Sequence, residues 1–174
     1  MKILLRFLQK ASWVGILLLG LCYPSSLWAQ DCNLIKETDP YTRQTRLSTG
    51  FIELTGASLV ADADSKEIDI MISFKTDRCF DDGCAAVIYF AGGKQKINLR
   101  NGGTLNCEGL FHFIFRNGPT VNYQLKKMAT QPISHMEFVD RNDKKIPVTL
   151  SVAQQEKLLQ VLRCFIDQAP TLVQ

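Results

Sequence analysis

The sequence predicts an α+β domain, mostly antiparallel β-sheet running as a meander or half-barrel, packed by one C-terminal α-helix. Two observations predict this class. Apolar and polar residues alternate through the middle of the chain, which is the period of a β-strand with one buried face. Near the C-terminus the apolar residues recur instead at three- and four-residue spacing, which is the period of an amphipathic helix. A sheet covered by one such helix is a layered α+β arrangement.

Residues 1–29 have the features of a secretory signal peptide. Basic residues precede an apolar run over residues 13–22, and Ala29 offers a small residue at a cleavage point. The run has about ten residues, whereas a membrane-spanning helix needs about twenty. We therefore predict cleavage before Gln30, export to the periplasm or the extracellular space, and no stable membrane insertion of the mature chain.

A lipoprotein signal is the alternative interpretation of this segment, because Cys22 follows the apolar run. Lipoprotein signals place a small residue directly before the modified cysteine, whereas Leu21 is bulky. The sequence therefore favours soluble export over lipidation at Cys22.

Residues 30–174 are expected to form a single α+β domain with one core. The chain has 20 basic and 17 acidic residues, and three of the basic residues belong to the signal peptide. The mature chain therefore has 17 of each and is close to neutral. Nucleic acids are bound largely through an excess of Lys and Arg, so this balance argues against a nucleic-acid partner.

Alternating patterns and turn residues predict several strands in the mature chain. Residues 68–74 alternate apolar and polar side chains, with residues 59–61 as their hairpin partner across the turn 62–66. Residues 85–91 are apolar without alternation, which is typical of a central strand covered on both faces. Gly92-Gly93 turns this strand into a further one over residues 94–100, and another strand is predicted over 110–116. Residues 133–139 and 145–150 are predicted to form a hairpin around residues 140–143.

The last helix has the clearest local signals in the mature chain. Ser151 can cap its first turn, and Gln154 completes a capping box. One apolar stripe follows at helical spacing, formed by Leu158, Leu159, Leu162, Phe165 and Ile166. Pro170 ends the helix. Such a stripe packs most simply across a sheet, and a helix that binds a partner is the alternative.

Five cysteines remain after cleavage of the signal, and export favours disulfides among them. They are Cys32, Cys79, Cys84, Cys107 and Cys164. Their odd number leaves at least one without an intramolecular partner. We predict a disulfide between Cys32 and Cys164, which would join the start of the mature chain to the C-terminal helix.

The three middle cysteines are expected at one end of the sheet. A Cys79–Cys84 disulfide with Cys107 unpaired is the favoured arrangement, and a bridge from Cys107 to either of the others is the second. A zinc site is the third and least favoured arrangement, because no fourth ligand at suitable spacing is visible. Catalytic thiol exchange is not favoured, since redox pairs usually have two intervening residues at the start of a helix.

Phe111, Phe113 and Phe115 form an aromatic stripe on one face of a predicted strand. Core packing is the simpler interpretation, and a groove that binds an apolar ligand is the functional alternative. The spacing of the three rings is compatible with both.

Catalytic motifs are not found in the sequence. The two histidines, His112 and His135, fall on predicted strands among polar neighbours. Acidic residues between 62 and 69 are interpreted as a hairpin turn, because Lys66 and Glu67 occupy positions where a calcium loop needs a ligand and a glycine. We predict no metal and no cofactor.

Both ends of the mature chain resemble small exported proteins of unassigned function from Bacteroidetes. The resemblance lies in Cys32-Asn33-Leu34-Ile35-Lys36 and Asp39-Pro40-Tyr41-Thr42 at the start, and in the strand 133–139, Leu150-Ser151, Gln154-Gln155 and Cys164 at the end. It implies an envelope or extracellular location and a sheet closed by a C-terminal helix. It implies no catalytic residues, and Cys79, Cys84 and Cys107 are not part of it.

We therefore predict an exported, non-enzymatic binding or envelope-associated module whose partner is a protein or an apolar small ligand. A solid core with a separate exposed apolar patch would favour a protein partner. A carrier of apolar ligands is the alternative, and it would need an internal cavity beside the phenylalanine stripe. An enzyme that depends on a thiol or a metal is less favoured, and it would need a histidine close to the cysteine cluster.

Overall fold

The computed structural model describes residues 32–173, and Cys32–Gln174 groups as one compact unit. Within that range the chain forms ten strands, two α-helices and a short 3₁₀ helix. The strands are β1 (Ile35–Thr38), β2 (Thr45–Ser48), β3 (Ile52–Leu54), β4 (Ala57–Ala63), β5 (Glu67–Phe74), β6 (Ala85–Phe90), β7 (Lys96–Arg100), β8 (Leu110–Arg116), β9 (Ile133–Val139) and β10 (Lys145–Thr149). The helices are α1 (Tyr123–Thr130), α2 (Val152–Gln168) and the 3₁₀ helix (Ala169–Leu172). The predicted signal peptide and Cys22 lie outside the described residues.

All strand pairs in the described range are antiparallel, and the strands divide between two sheets. The first sheet has the order β1-β2-β4-β5-β8, with β3 also paired to β4. The second has the order β10-β9-β6-β7. The predicted α+β class is confirmed, and the predicted hairpins β4–β5, β6–β7 and β9–β10 are all formed.

The two sheets face each other across one hydrophobic core. The ring of Phe138 in the second sheet lies 5.0 Å from both Phe74 and Phe111 of the first sheet, measured between ring centroids. Phe111 and Phe113 are 0% and 1% exposed, and Phe115 is also buried. The phenylalanine stripe is therefore part of the core, as the simpler interpretation of the sequence held.

Helix α2 follows its sequence signals closely. The Ser151 hydroxyl accepts a hydrogen bond from the Gln154 backbone N–H, and the Gln154 side chain accepts one from the Ser151 backbone, which completes the predicted capping box. Leu162 is 0% exposed in the middle of the stripe, and the helix packs against α1 and β9. The chain tightens into the 3₁₀ helix at Pro170, where a proline removes a helical donor.

Helix α1 is an element that the sequence did not predict. The side chain of Asn122 caps it by accepting hydrogen bonds from Gln124 and Leu125. Only Leu125, Met128 and Ala129 of its eight residues are buried. Two turns with three buried residues give little helical periodicity, so its contact with α2 stabilises it more than its own propensity.

Candidate functional site

The edge strand β1 has an unprotected outer side in the described part of the chain. It pairs with β2 on one side, and no described strand pairs with its other side. All four of its residues, Ile35–Thr38, are exposed. Unpaired N–H and C=O groups at a sheet edge form a template for another strand.

At each of the other described strand edges, at least one outward backbone group is bonded by a side chain or removed by a proline. Asn106 bonds to both backbone groups of Leu110 on β8, and Gln154 donates to the Glu53 carbonyl on β3. Gln124 donates to the Asn98 carbonyl on β7, and Pro147 removes a donor from β10. In the described residues, β1 has no comparable cap on its outer side.

Two residues of β1 direct their backbone groups away from the sheet. The Asp39 N–H donates to the Gln44 carbonyl at 2.9 Å, and this bond continues the register in which Ile35 lies opposite Ser48. Successive residues of an antiparallel strand direct their N–H and C=O groups to opposite sides of the strand. Ile35 and Glu37 therefore bond towards β2, while Lys36 and Thr38 present both groups outwards. A second strand could therefore form about four backbone hydrogen bonds with β1.

A disulfide between Cys32 and Cys164 fixes the start of β1 to helix α2, which confirms the predicted pairing. The two Cα atoms are 5.7 Å apart, within the range that a disulfide spans. Cys164 lies among the buried residues of α2, three residues from Val161 and next to Phe165. The edge strand is consequently held against the core before any partner arrives.

The loop that joins β1 to β2 is ordered by Asp39. One carboxylate oxygen of Asp39 accepts hydrogen bonds from the backbone N–H groups of Tyr41 at 2.7 Å and Thr42 at 2.8 Å. These two bonds, that from Thr42 first, lower the pKa of Asp39, so the carboxylate remains ionised. The Tyr41 side chain is 94% exposed at the tip of this ordered loop.

Apolar side chains lie at the base of the same hairpin. Ile35 is 50% exposed and Phe51 is 68% exposed. Gly50, the residue before Phe51, lies beside the Ile35 side chain, since a Cβ placed on it would be 3.5 Å from Ile35. Aromatic side chains such as Tyr and Phe are enriched at the buried centres of protein interfaces.

An acidic cleft adjoins the hairpin formed by β1 and β2. Only Leu47 and Ser48 of β2 pair with β4, so the hairpin projects beyond the end of the β4–β5 hairpin. Three cavities of about 550, 220 and 120 Å³ lie there and share Arg46 in their walls. We define the acidic cleft by its charged lining residues, which are Glu37, Asp39, Arg46, Asp62, Asp64, Glu67 and Asp69.

Like charges face each other in this cleft. Asp62 and Asp69 are directly opposite on β4 and β5, an arrangement that destabilises a sheet. One Asp69 oxygen lies 2.8 Å from His112 Nδ1, and this hydrogen bond raises the pKa of His112, although partial burial opposes the rise. The other Asp69 oxygen has no hydrogen-bond partner.

The middle cysteines pair differently from the favoured prediction. Cys79 forms a disulfide with Cys107, and Cys84 is the free cysteine, so the predicted Cys79–Cys84 bridge is wrong. Phe80 and Asn106 exchange two backbone hydrogen bonds, which places the neighbouring Cys79 and Cys107 opposite each other. The pairing is thus a cross-strand contact, and it matches the second alternative.

Cys84 belongs to the core instead. It directly precedes β6, whose alternate residues face inwards, and its side chain is buried. Its Sγ lies 3.4 Å from an Asp81 carboxylate oxygen. Burial raises the pKa of the Cys84 thiol, so the thiolate form that reacts with disulfides and metals is disfavoured.

The two histidines lie on opposite outer faces of the molecule. His112 bonds to Asp69 on the first sheet, and His135 stacks on Tyr89 of the second sheet with ring centroids 4.2 Å apart. Neither is within hydrogen-bond distance of the Cys84 sulfur. In residues 32–173 no group of three or more His, Cys, Asp or Glu side chains is arranged to hold a metal ion.

The acidic residues that suggested a calcium loop are confirmed as a hairpin turn. Asp64 accepts hydrogen bonds from the backbone N–H groups of Lys66 and Glu67 and so fixes the turn between β4 and β5. Sequence reasoning noticed these carboxylates but missed their neighbours on β1 and β2. The signal was the second acidic pair, Glu37 on β1 and Asp39 directly after it, in a segment too polar to show alternation.

Comparisons with protein families, with curated proteins and with solved structures find no match for this chain. Among the described residues, no helix is long and apolar enough to cross a membrane. The backbone edge of β1 and the charges of the acidic cleft are therefore the features that bear on the function of this protein.

Proposed function

We propose that this protein is an exported, non-enzymatic binding module that captures a protein partner by strand addition to β1. The observation that carries the proposal is the outer edge of β1, where no described residue bonds a backbone group, whereas each of the other described strand edges has at least one outward group bonded by a side chain or removed by a proline. An added strand gains main-chain hydrogen bonds from the edge and specificity from side chains at alternate positions.

Two further features support a protein partner. The phenylalanines that would line a carrier cavity are packed in the core, whereas Ile35, Tyr41 and Phe51 are exposed around β1. The Cys32–Cys164 disulfide orders the strand in advance, which lowers the entropy cost of binding. Two disulfides are also consistent with an oxidising compartment, and export remains part of the proposal.

Blocking the outward N–H of Thr38 tests the proposal. Thr38→Pro removes this donor without removing a backbone bond to β2, although it also removes the hydroxyl–hydroxyl bond between Thr38 and Thr45. Thr38→Val is the matched control, because it removes the same hydroxyl bond and keeps the backbone donor and a similar shape. Each protein would be incubated with envelope and medium fractions of the source organism, and bound proteins would be quantified by mass spectrometry.

We expect a saturable partner that the native protein and Thr38→Val bind equally and that Thr38→Pro loses by tenfold or more, a loss of about 1.4 kcal/mol. The thermal midpoints of the three proteins should agree, which shows that the loss does not come from unfolding. Equal binding by Thr38→Pro, or binding only through a distant surface, would contradict strand addition at β1.

A further inference from the structure

We infer that the segment added to β1 is basic, with Lys or Arg at the position opposite Glu37, and that the acidic cleft receives this charge. The inference rests on the proposed strand addition and names the chemistry of the partner. It is carried by charge complementarity, since the cleft has six carboxylates and one guanidinium in its lining.

The carboxylates of the cleft are largely uncompensated within the described structure. Asp69 alone among them forms an ion pair there, and its partner is His112. Arg46 lines all three cavities and lies directly opposite Glu37 on the β1–β2 pair, without an ion pair within 4.0 Å. Six carboxylates against this one guanidinium leave the lining with excess negative charge, which a cation supplied by a partner would lower.

The opposed pair Asp62 and Asp69 strengthens this inference. Two acidic residues directly across a sheet repel each other, and the bond from Asp69 to His112 leaves Asp62 still facing a second carboxylate. Departures of this kind from local rules concentrate at functional sites. Lys or Arg from a partner would lower the repulsion on binding.

Glu37 links the edge of β1 to the cleft. It lies on β1 and lines the two larger cavities. On an added strand, the residue directly opposite Glu37 would have its Cβ about 5 Å from the Glu37 Cβ, so a long basic side chain reaches the cleft. The residue opposite Lys36, on the other face, would be neutral or acidic.

A second copy of this chain fits the edge less well. Two identical strands that pair antiparallel about a two-fold axis place one residue opposite itself. Centring the pair on β1 sets Lys36 against Lys36 or Glu37 against Glu37, and like charges directly opposite are unfavourable. A foreign segment with the complementary pattern avoids this repulsion.

The test uses four extended peptides, Thr-Val-Thr-X-Thr-Val-Thr, in which X is Arg, Lys, Gln or Glu. Each is titrated into isotope-labelled protein with both disulfides formed, and backbone amide shifts are followed by NMR. We expect the amides of Lys36 and Thr38 to move, with the Arg and Lys peptides binding about tenfold tighter than the Gln peptide and the Glu peptide weakest. The difference should shrink at about 0.5 M salt, where exposed charges are screened.

Glu37→Gln should reduce the preference for basic peptides, and Asp167→Asn, which removes an exposed carboxylate from α2, should leave it unchanged. Equal affinities for the Arg and Gln peptides, with shifts still at Lys36 and Thr38, would overturn the basic partner and keep strand addition. No shift of these two amides with any peptide would overturn strand addition itself. Concentration-dependent shifts at β1 without peptide would identify a second copy as the occupant and overturn the inference.

Discussion

Asp69 takes part in both the folding and the proposed binding chemistry of the molecule. It bonds to His112 and at the same time faces Asp62 across the β4–β5 pair. Because the hydrogen bond raises the pKa of His112 in the folded state, that state holds its proton more tightly than the unfolded chain. The pair therefore links stability to pH.

The stabilisation from His112 should be complete below its unfolded pKa of about 6.5 and should fall as pH rises through the raised folded pKa. Asp69→Asn removes the partner, so the His112 pKa should decrease and this part of the pH dependence should disappear. NMR titration of His112 measures the first effect, and denaturant unfolding at a series of pH values measures the second. Equal midpoints of the His112 titration in the native protein and in Asp69→Asn would contradict the pairing of His112 with Asp69. The NMR signals of His135, on the other sheet, are followed separately.

Cys84 should behave as a single protected thiol. In the native protein we expect it to react with iodoacetamide only slowly, because it is buried and its pKa is raised. Unfolding without reductant should then expose one thiol per chain. Non-reducing peptide mapping should join Cys79 to Cys107, and a Cys79–Cys84 peptide would show that the pairing described above is incorrect.

At the scale of elements, helix α2 offers a direct comparison of buried and exposed positions. Leu162 is 0% exposed, whereas Gln160 lies on the exposed face two residues earlier. Leu162→Asp would bury an unpaired charge and should reduce the free energy of unfolding by about 3–5 kcal/mol. Gln160→Asp should change it by about 0.5 kcal/mol or less. Equal thermal midpoints for the two variants would mean that α2 is not packed on the sheets.

The periodicity of apolar residues predicted the strands and the helix that bury one face in the core. The β4–β5 hairpin, the β9–β10 hairpin and α2 each combine a clear period with a turn or cap, and each was found as predicted. By contrast, the edge strand β1 is exposed throughout and only Leu47 of β2 is buried, so burial left no alternation in the sequence of either strand.

Pairing between distant elements could not be predicted from one sequence. The second sheet joins β6 to β9, and the first joins β5 to β8, across long intervening segments. The Cys79–Cys107 disulfide depends on such a pairing, because the Phe80–Asn106 bridge sets its position. The acidic cleft was missed for the same reason, since it forms only where the β1–β2 hairpin meets the end of β4–β5.

For the whole molecule, the two disulfides enclose loops of very different length. The sequence separation is 132 residues for Cys32–Cys164 and 28 for Cys79–Cys107. Chain entropy then predicts about 5 kcal/mol of stabilisation from the long loop and about 3.5 kcal/mol from the short one. Replacing both Cys32 and Cys164 with serine should therefore lower the unfolding free energy more than replacing Cys79 and Cys107, as denaturant titration would measure. A larger loss from the short loop would contradict the entropic account.

Cleavage of the predicted signal peptide would decide which residues this molecule contains after export. We expect an N-terminus at Gln30, in free form or cyclised to pyroglutamate, because Ala29 closes the predicted signal peptide. Intact-protein mass spectrometry of exported material measures this end directly. A lipid-modified Cys22 would instead establish a membrane-anchored form.

The Cys32–Cys164 bond also determines how the molecule would carry mechanical load. A pulling force applied before Cys32 and after Cys164 would pass through the covalent S–S bond and bypass the residues between them. The two sheets and the free edge of β1 lie inside this covalent ring and would not be stretched. A binding module tethered on one side and pulled on the other would thus keep its docking strand in shape under tension, until the bond is reduced.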